Sequence, residues 1–231
     1  MTEAQEWMKT HSTPFTYATL IDCMGSDKTV VNSARVSYAN IVGDEPLSNV
    51  LNKKDEKLIH YLAEHKHMSP FNHCFATFKC QAPIFVARQL VKHEYLVWNE
   101  VSRRYTDKDL KFFRVSAWGE QSENSKQGTG EPLKESLQYM CTESYENAMY
   151  TAFNCYQALL RTGVSKEDAR MILPQSTMTE WYWSGSLGAF AKMCNLRIDK
   201  HAQHYTRYVA ENINCAMKEK FPVSWEALMH R

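Results

Sequence analysis

The sequence predicts one folded domain that contains both helices and strands. A chain of 231 residues fits a single domain, and its 44% of hydrophobic residues can form a substantial core. Helical periods and runs of β-branched or aromatic residues also alternate along the chain. We therefore expect residues 1–231 to form one domain of mixed secondary structure.

The composition restricts the classes of function. The formal net charge of +1 argues against a general polyanion binder, so anionic ligands must be held by local clusters. The seven cysteines lack regular spacing and predict reduced thiols in a cytoplasmic protein, or in a host's cytoplasm if the chain is viral. The N-terminus is polar, and no apolar run approaches the ~20 residues that span a bilayer. We expect neither nucleic acid nor a membrane as a partner.

Strand and helix patterns alternate in the first part of the chain. They predict a strand at 15–24, a helix at 27–37, a loop at 40–52, a helix at 53–65 and a strand at 74–80. Asp27 is the candidate cap of the first helix.

The next stretch, QAPIFVARQLVKHEYLVWNEVSRRY, combines a helical period with many polar side chains. Pro83 suits the first turn of a helix, where its missing N–H would have no partner. Such a helix would place Gln89, Lys92 and His93 on one face. The period breaks afterwards, and a polar loop is predicted at 99–105.

The side chains of this loop fit a phosphate-binding site. Arg103 and Arg104 offer paired guanidinium donors, and Ser102 adds a hydroxyl group. Asn99 and Glu100 suit the polar edge of a base or sugar. The alternative is a solvated helix face followed by a salt-bridged loop, and residue types alone leave both interpretations open.

The second half of the chain is predicted to be mostly helical. Its patterns predict a strand at 109–115, an exposed loop at 119–131, a long helix at 132–161, a short helix from Ser165 to Pro174, a strand at 181–183 and a last long helix capped by Asp199.

Two other constellations are weaker candidates for chemistry. His65, His67 and His73 lie close together, but no further ligand follows at a recognisable zinc spacing, so no metal is expected. Cys80 lies in a predicted strand and is interpreted as a small apolar residue rather than a nucleophile.

Several motifs, in this order, resemble the flavin-dependent thymidylate synthase family. They are ARVSY at 34–38, HMSPFNH at 67–73, a signature region at 88–105, DARMILP at 168–174 and NLR with HAQ at 195–203. The family's signature has the form R-Q-x-x-R-H-R-x-x-S-x-N-E-x-S-x-R-Y. Lys92 and Glu94 replace two of its arginines, and Val97 replaces its first serine. Further on, Ser186, Gly188 and Lys192 stand where the family commonly has Asn, Arg and Asn; we hypothesise that Lys192 supplies part of the missing charge.

The resemblance implies roles for individual residues. The residues implied for dUMP binding are Gln89, Leu90, Val91, Lys92, Glu100, Val101, Ser102, Arg103, Arg104, Arg170 and Arg197. Those implied for FAD binding are Ser37, His67, Ser69, Lys92, His93, Glu94, Glu100, Ser186, Gly188 and Lys192. Arg197 is the catalytic candidate, because a fixed cation beside the uracil N3 favours its ionisation and makes C5 nucleophilic.

The resemblance also implies a fold and a reaction. The fold is an α+β domain with a mixed or antiparallel sheet flanked by helices. The reaction is methylation of dUMP to dTMP, with methylenetetrahydrofolate as the carbon donor and NADPH as the reductant of FAD. Self-association as a homotetramer would place the 88–105 region of one chain against Arg197 of another.

Two alternatives belong to other classes. Arginines beside Tyr95, Trp98 and Tyr105 could stack bases in a nucleic-acid-binding module, although the near-neutral net charge argues against it. The other alternative is a family member that has lost activity through Glu94, Ser186 and Gly188.

Overall fold

The computed structural model describes residues 1–38, 50–122 and 128–229. In these ranges the α-helices are α1 (Glu3–His11), α2 (Asp27–Arg35), α3 (Lys53–Glu64), α4 (Ile84–Leu90), α5 (Glu135–Arg161), α6 (Lys166–Ala169), α7 (Leu187–Arg197), α8 (His204–Lys220) and α9 (Pro222–Met229). The strands are β1 (Ser12–Thr13), β2 (Tyr17–Met24), β3 (Phe75–Pro83), β4 (Leu96–Glu100), β5 (Phe112–Phe113), β6 (Gly119–Gln121), β7 (Thr129–Pro132) and β8 (Met178–Ser186). Short 3-10 turns lie at Val36–Tyr38, Pro70–His73 and Arg170–Ile172.

A four-stranded antiparallel sheet in the order β2-β3-β8-β4 forms the centre of the molecule. Side chains of β3 alternate between buried and less buried positions, as a half-buried strand requires. Helices α4, α7 and α8 pack close to this sheet. The predicted α+β class with an antiparallel sheet is therefore confirmed.

The main core lies between the sheet and its helices. Phe78 and Trp183 are paired in register on β3 and β8, and both are fully buried. Phe190 of α7 meets Phe78 and Trp183 edge-on, with ring centroids 5.2 and 5.7 Å away. A smaller apolar cluster joins α1, α5 and β5 through Met8, Phe112 and Tyr156.

Some predicted elements have different bounds in the structure. The strand predicted at 109–115 is only two residues long, because β5 pairs only with the equally short β1 and bridges to Thr177. The loop predicted at 99–105 starts two residues later, because Asn99 and Glu100 pair with β8. The helix predicted from residue 132 begins at Glu135, since residues 129–132 form β7 against β6.

Two predicted caps are also wrong. Ser26, not Asp27, is the N-cap of α2, and its hydroxyl accepts from the backbone N–H of Thr29. Gln203, not Asp199, precedes the first residue of α8. Asp199 instead accepts a hydrogen bond from the backbone N–H of His201.

Three helices were not predicted from the sequence, namely α1, α7 and α9. Most of the loop predicted at 40–52 and the centre of that predicted at 119–131 lie outside the described residues. Over the described ranges, no helix is both long and apolar enough to cross a membrane.

Candidate functional site

The end of β4 and the loop after it line a cavity of about 390 Å³. Its walls come from the β4 loop, the start of β8, the α6 region and the first residue of α4. The lining residues are Ile84, Glu100, Val101, Ser102, Arg103, Arg170, Leu173, Thr177, Met178 and Thr179. Five of the residues predicted for substrate binding thus meet in one place.

Glu100 is held at the edge of this cavity by two donors. Thr179 Oγ1 donates to one carboxylate oxygen at 2.7 Å, and Trp98 Nε1 donates to the other at 3.0 Å. Both donors lie on the central sheet, so the carboxylate has a fixed orientation. A fixed carboxylate can accept from an N–H or O–H group of a ligand.

Arg103 is a half-buried cation in the cavity wall. Its Nη1 donates to the backbone carbonyl of Lys108 at 2.7 Å, which fixes the guanidinium group. Burial lowers the pKa of Arg103 from its ordinary value, but an arginine remains charged at neutral pH. Ser102 lines the same cavity beside it. Together they offer the donors that a phosphate group requires.

Arg104, which is also predicted to bind dUMP, is not among the residues that line this cavity. Its Nε lies 3.4 Å from Glu167 Oε1, and its guanidinium group lies over the ring of Tyr105. Arg170, which does line the cavity, donates from Nε to the backbone carbonyl of Glu167 at 3.1 Å. Glu167 thus contacts both arginines, Arg104 through its carboxylate and Arg170 through its backbone carbonyl.

Arg197 belongs to a second cluster, at the other end of α4. Its Nε donates to His93 Nε2 at 2.9 Å, and its Nη2 donates to the backbone carbonyl of Gln89 at 3.3 Å. The side chain of Gln89 is itself fixed, because its Oε1 accepts from Thr206 Oγ1 at 3.0 Å. Arg197 thus contacts Gln89 and His93 within its own chain. Its meeting with the 88–105 region of another chain stays a prediction.

The charge state of His93 follows from this arrangement. Burial and the nearby cations Arg197 and Lys192 lower the pKa of His93 to about 4. The imidazole is therefore neutral at pH 7 and can accept from Arg197. Burial also lowers the pKa of Arg197 from its ordinary value. The cluster holds one localised positive charge beside a neutral ring.

Other predicted residues near α4 behave differently. The side chain of Leu90 is fully buried in the core, so it cannot contact a ligand. Val91 and Lys92 are exposed, but α4 ends at Leu90 and Lys92 lies beyond it. Of the three residues predicted to share a helical face, Gln89, Lys92 and His93, only Gln89 therefore lies within α4.

Two residues predicted to bind FAD are occupied by internal contacts. Ser186 is buried; its hydroxyl caps α7 by accepting from Ala189 N and donates to Asn72 Oδ1 at 2.7 Å. Gly188 is also buried, and a Cβ placed on it would lie 2.7 Å from the same Asn72 oxygen. Ser186 thus caps the start of α7, and Gly188 packs closely against Asn72.

Several of the remaining residues predicted to bind FAD are accessible. Ser37, His67, Ser69 and Lys92 are exposed, and His93 is partly buried. Lys192 lies one turn beyond Gly188 and pairs with Glu94 at 3.2 Å, with both side chains 69% exposed. Glu94 therefore offsets part of the charge that Lys192 could offer to a ligand.

Metal and thiol chemistry receive no support from the geometry. In the described ranges, no three His, Cys, Asp or Glu side chains form a group that could hold a metal ion. Cys80 is fully buried in β3, and burial raises the pKa of its thiol. This agrees with its interpretation as a small apolar residue.

The sequence analysis missed three residues that position the site, namely Glu167, Thr179 and Thr206. Thr179 shares the buried face of β8 with Trp181 and Trp183, and Thr206 is fully buried in α8. A threonine on a buried face needs a hydrogen-bond partner. That pattern was the available signal, although it does not identify the partner.

The sequence is similar to those of known proteins over most of its length. The family model described as "Thymidylate synthase complementing protein" matches residues 19–223. The flavin-dependent thymidylate synthase of Thermosipho africanus is 36% identical over 210 residues, which cover 91% of this chain and 89% of the relative. That of Thermotoga neapolitana is 34% identical over 213 residues, covering 92% and 90%.

A solved structure has a closely similar fold. The UMP/dUMP methylase PolB from Streptomyces cacaoi, bound with 5-Br dUMP, superposes with a TM-score of 0.84 at 30% identity. The match covers 94% of this chain and 96% of PolB. The fold and the motifs thus define a flavin-dependent nucleotide methylase. Within that class, the chain belongs to the flavin-dependent thymidylate synthase family.

Proposed function

We propose that this protein methylates dUMP to dTMP with a flavin cofactor. The observation that carries the proposal is the convergence of Glu100, Ser102, Arg103 and Arg170 on one cavity. Family membership and the fold shared with a UMP/dUMP methylase support the same chemistry.

The cavity suits a nucleoside monophosphate. Arg103 and Ser102 would bind the phosphate, with Arg170 adding a second guanidinium group. Glu100, fixed by Thr179 and Trp98, would accept from the base or sugar. Gln89 would assist from the end of α4.

Arg197 would activate the uracil ring. A cation beside N3–H stabilises the N3 anion and lowers the pKa of that N–H. Charge delocalised from N3 raises electron density at C5, which would form a bond to the folate's one-carbon unit while that carbon's bond to a folate nitrogen breaks and C5 later loses its proton. His93 would act as a positioning residue that holds the guanidinium group without adding a second charge.

FAD, NADPH and methylenetetrahydrofolate complete the proposed reaction. His67, Ser69, Lys92, His93 and Lys192 would hold FAD, with Ser37 at the edge of its site. When bound and reduced by NADPH, the flavin supplies the hydride, and the folate supplies the carbon. The chain's own residues bind, orient and polarise the substrate.

We also propose that the active site is completed by another copy of the chain in a homotetramer. Ile84 lines the phosphate cavity, whereas Gln89 contacts Arg197 at the other end of α4. A rise of about 1.5 Å per residue separates these ends by roughly 7.5 Å along the helix. Arg197 of the same chain does not line the cavity, so a second copy would bring one to it.

The direct test measures dTMP formation. Purified protein is supplied with FAD, NADPH, methylenetetrahydrofolate and either dUMP or UMP, and the product is quantified by chromatography. We expect methylation of dUMP, and loss of most activity in Arg103→Gln but not in the exposed control Lys54→Gln. Absence of product from a folded protein that binds flavin and dUMP would favour a family member without activity.

The role of Lys192 is tested separately by flavin binding. Lys192→Ala should raise the flavin dissociation constant, because a phosphate loses a cation. Glu94→Gln should lower it, because Lys192 is then released from its ion pair. Titration of visible flavin absorbance measures both constants, and two unchanged values would refute the assignment.

A further inference from the structure

The cavity of Glu100 and Arg103 is bordered by two segments that lie far apart in the sequence. One segment, residues 100–109, carries Arg103 and forms the β4 wall, while residues 165–173 carry Arg170 and form the α6 wall. Each wall thus brings a guanidinium group to the same cavity. Two groups of like charge repel each other, so contacts between the walls must offset this repulsion if both arginines are to bind one anion.

An ion pair outside the cavity joins the two walls. Lys166 Nζ lies 2.8 Å from Asp107 Oδ1, and each of these side chains is 38% exposed. The hydrogen bond from Lys166 lowers the pKa of Asp107 from its ordinary value. Neither residue is among those that line the cavity. The pair therefore links the walls without occupying the space of a ligand.

A second ion pair joins the same two walls. Arg104 Nε of the β4 wall lies 3.4 Å from Glu167 Oε1 of the α6 wall, and these side chains are 45 and 58% exposed. This pair is longer and more exposed than that of Asp107 and Lys166, so we expect it to contribute less. Adjacent residues of the α6 wall thus hold the β4 wall at two points.

The β4 wall depends on such contacts because little regular structure supports it. Strand β4 ends at Glu100, and Asp109 at the far end of the wall has a φ of 50°. Residues other than glycine keep this conformation only where their surroundings enforce it. Within the wall, Arg103 is bound to the backbone carbonyl of Lys108. The position of Arg103 therefore follows that of the wall as a whole.

The two walls share a buried base. Leu110, which follows the β4 wall, and Ala169 of the α6 wall belong to one apolar cluster with Tyr156 of α5. All three side chains are buried, whereas both ion pairs are partly exposed. The apolar cluster thus fixes the walls on one side, and the ion pairs join them where water would otherwise separate them.

We propose that Asp107 and Lys166 are positioning residues that hold Arg103 and Arg170 at the separation a phosphate group requires. That this phosphate belongs to dUMP rests on the proposed function. Walls that are already in place lose less freedom when a ligand binds. The ion pair would therefore tighten binding without touching the ligand. Its loss should raise KM and leave kcat nearly unchanged, because it removes binding energy far from the reacting ring.

The test reverses one charge and measures the dissociation constant of dUMP by isothermal titration calorimetry. Asp107→Lys should weaken binding about tenfold, because repulsion from Lys166 replaces attraction. The electrostatic field alone predicts the opposite, since an added cation near the cavity attracts a phosphate group. Combining Asp107→Lys with Lys166→Asp exchanges the charges and should restore binding to within about twofold of the wild type.

Two further variants complete the experiment. Glu6→Lys reverses one partner of the exposed Lys9–Glu6 pair in α1, whose length is 2.7 Å, and should leave binding unchanged. Asp107→Asn removes the charge without adding another and should weaken binding about threefold. It replaces Asp107→Lys if circular dichroism shows that the reversed variant does not fold. Steady-state assays of dTMP formation then separate KM from kcat.

Each other outcome has a defined meaning. Unchanged or tighter binding in the Asp107 variants would overturn the inference and leave the proposed function intact, as would a loss of kcat at constant KM. Failure of the exchanged pair to restore binding would also overturn it. Inorganic phosphate serves as a second ligand. If it bound with the same dependence on Asp107 while dUMP did not bind, the positioning role would stand and the proposed function would be contradicted. Binding of neither ligand would contradict both.

Discussion

The contact between Arg197 and His93 shows how one side chain sets the charge of another. Arg197 donates to Nε2 of His93, so that nitrogen must be free of a proton. Partial burial and the neighbouring cations disfavour the imidazolium form. The result is a guanidinium group of fixed orientation that forms no ion pair with a carboxylate in the described part of the chain.

This arrangement predicts a pH dependence. The pKa of His93 is about 4 in the folded protein against an ordinary 6.5, so the unfolded chain binds more protons between these values. The stability from neutral His93 is fully present above pH 6.5 and is lost as the pH falls through 4. The His93 ring protons should therefore titrate near pH 4 by NMR.

Two controls sharpen this pH measurement. Arg197→Gln removes one of the cations and should raise the midpoint toward the ordinary value. In the wild-type protein, the free energy of unfolding should increase between pH 4 and 6.5 partly because of His93. His93→Gln should remove this contribution. A wild-type midpoint near 6.5 would show that the contact does not control the protonation of His93.

The burial of three cysteines leads to a second prediction about individual residues. Cys74, Cys80 and Cys194 are fully buried, and burial raises the pKa of each thiol, to about 12 for Cys74. Since the thiolate is the reactive form, these three should resist alkylation in the native protein. Cys155 and Cys215 are exposed and should react first.

Mass spectrometry after timed iodoacetamide treatment gives the order of labelling. Urea should make all seven thiols reactive, which controls for their chemical competence. Rapid native labelling of Cys80 would contradict its position in the sheet.

Some of these residues could be assigned from sequence and others could not. Ser102 and Arg103 are neighbours in the sequence, so their meeting in one cavity wall was expected, although residue types alone left a solvated loop equally open. The partner of Arg104 was not predictable, because Glu167 is far away in the chain and meets it only after α6 is packed. Leu90 was assigned by its place in a motif, whereas its side chain faces the core.

At the scale of elements, α2 and α9 are joined by a carboxylate. Asp27 in the first turn of α2 accepts from the backbone N–H groups of Val223 and Ser224, at 3.0 and 2.9 Å. These N–H groups belong to the first turn of α9, where no intrahelical acceptor is available. A residue of α2 therefore caps a helix almost two hundred positions later.

Removing this carboxylate should destabilise the protein. Asp27→Ala leaves two N–H groups without acceptors, at a cost of about 1–3 kcal/mol. Asp27→Asn retains one acceptor oxygen and should lose less. Urea denaturation followed by circular dichroism gives both values.

The exposed residue Asp22 offers a matched control in β2. Asp22→Ala should change the unfolding free energy by no more than about 0.5 kcal/mol. If Asp22→Ala and Asp27→Ala lowered the free energy of unfolding equally, Asp27 would act only through its negative charge and not through its two hydrogen bonds.

The sequence patterns predicted the elements that carry one buried face. The strand β3 and the helix α3 were expected in nearly the right places, because each has one buried face and its apolar residues follow that period. Helix α7 was missed because nearly all of its turns are buried, which removes the polar face that a helical period needs. Helix α1 did carry a local signal, the capping box of Thr2 and Gln5.

At the level of the whole molecule, the proposed sharing of active sites between copies can be tested by mixing two inactive variants. Arg197→Ala and Arg103→Ala should each be nearly inactive alone. If one copy supplies the cavity and another supplies Arg197, random reassembly should restore native pairs in about one quarter of the sites. Assays of dTMP formation after joint unfolding and refolding measure this recovery.

The outcome separates the two arrangements. A mixture as inactive as its components would place the complete site in a single chain. Each variant refolded alone controls for activity regained by refolding itself.

The long helix α5 has a consequence for how the protein behaves in dilution. Only Met149 and Tyr156 among its 27 residues are buried, while Leu137, Tyr139 and Met140 expose 39, 62 and 55% of their surface. If other copies cover this helix, mass action couples folding to protein concentration. The melting temperature would then rise with each tenfold increase in concentration, and the enzyme would lose its activity on dilution before it loses its fold.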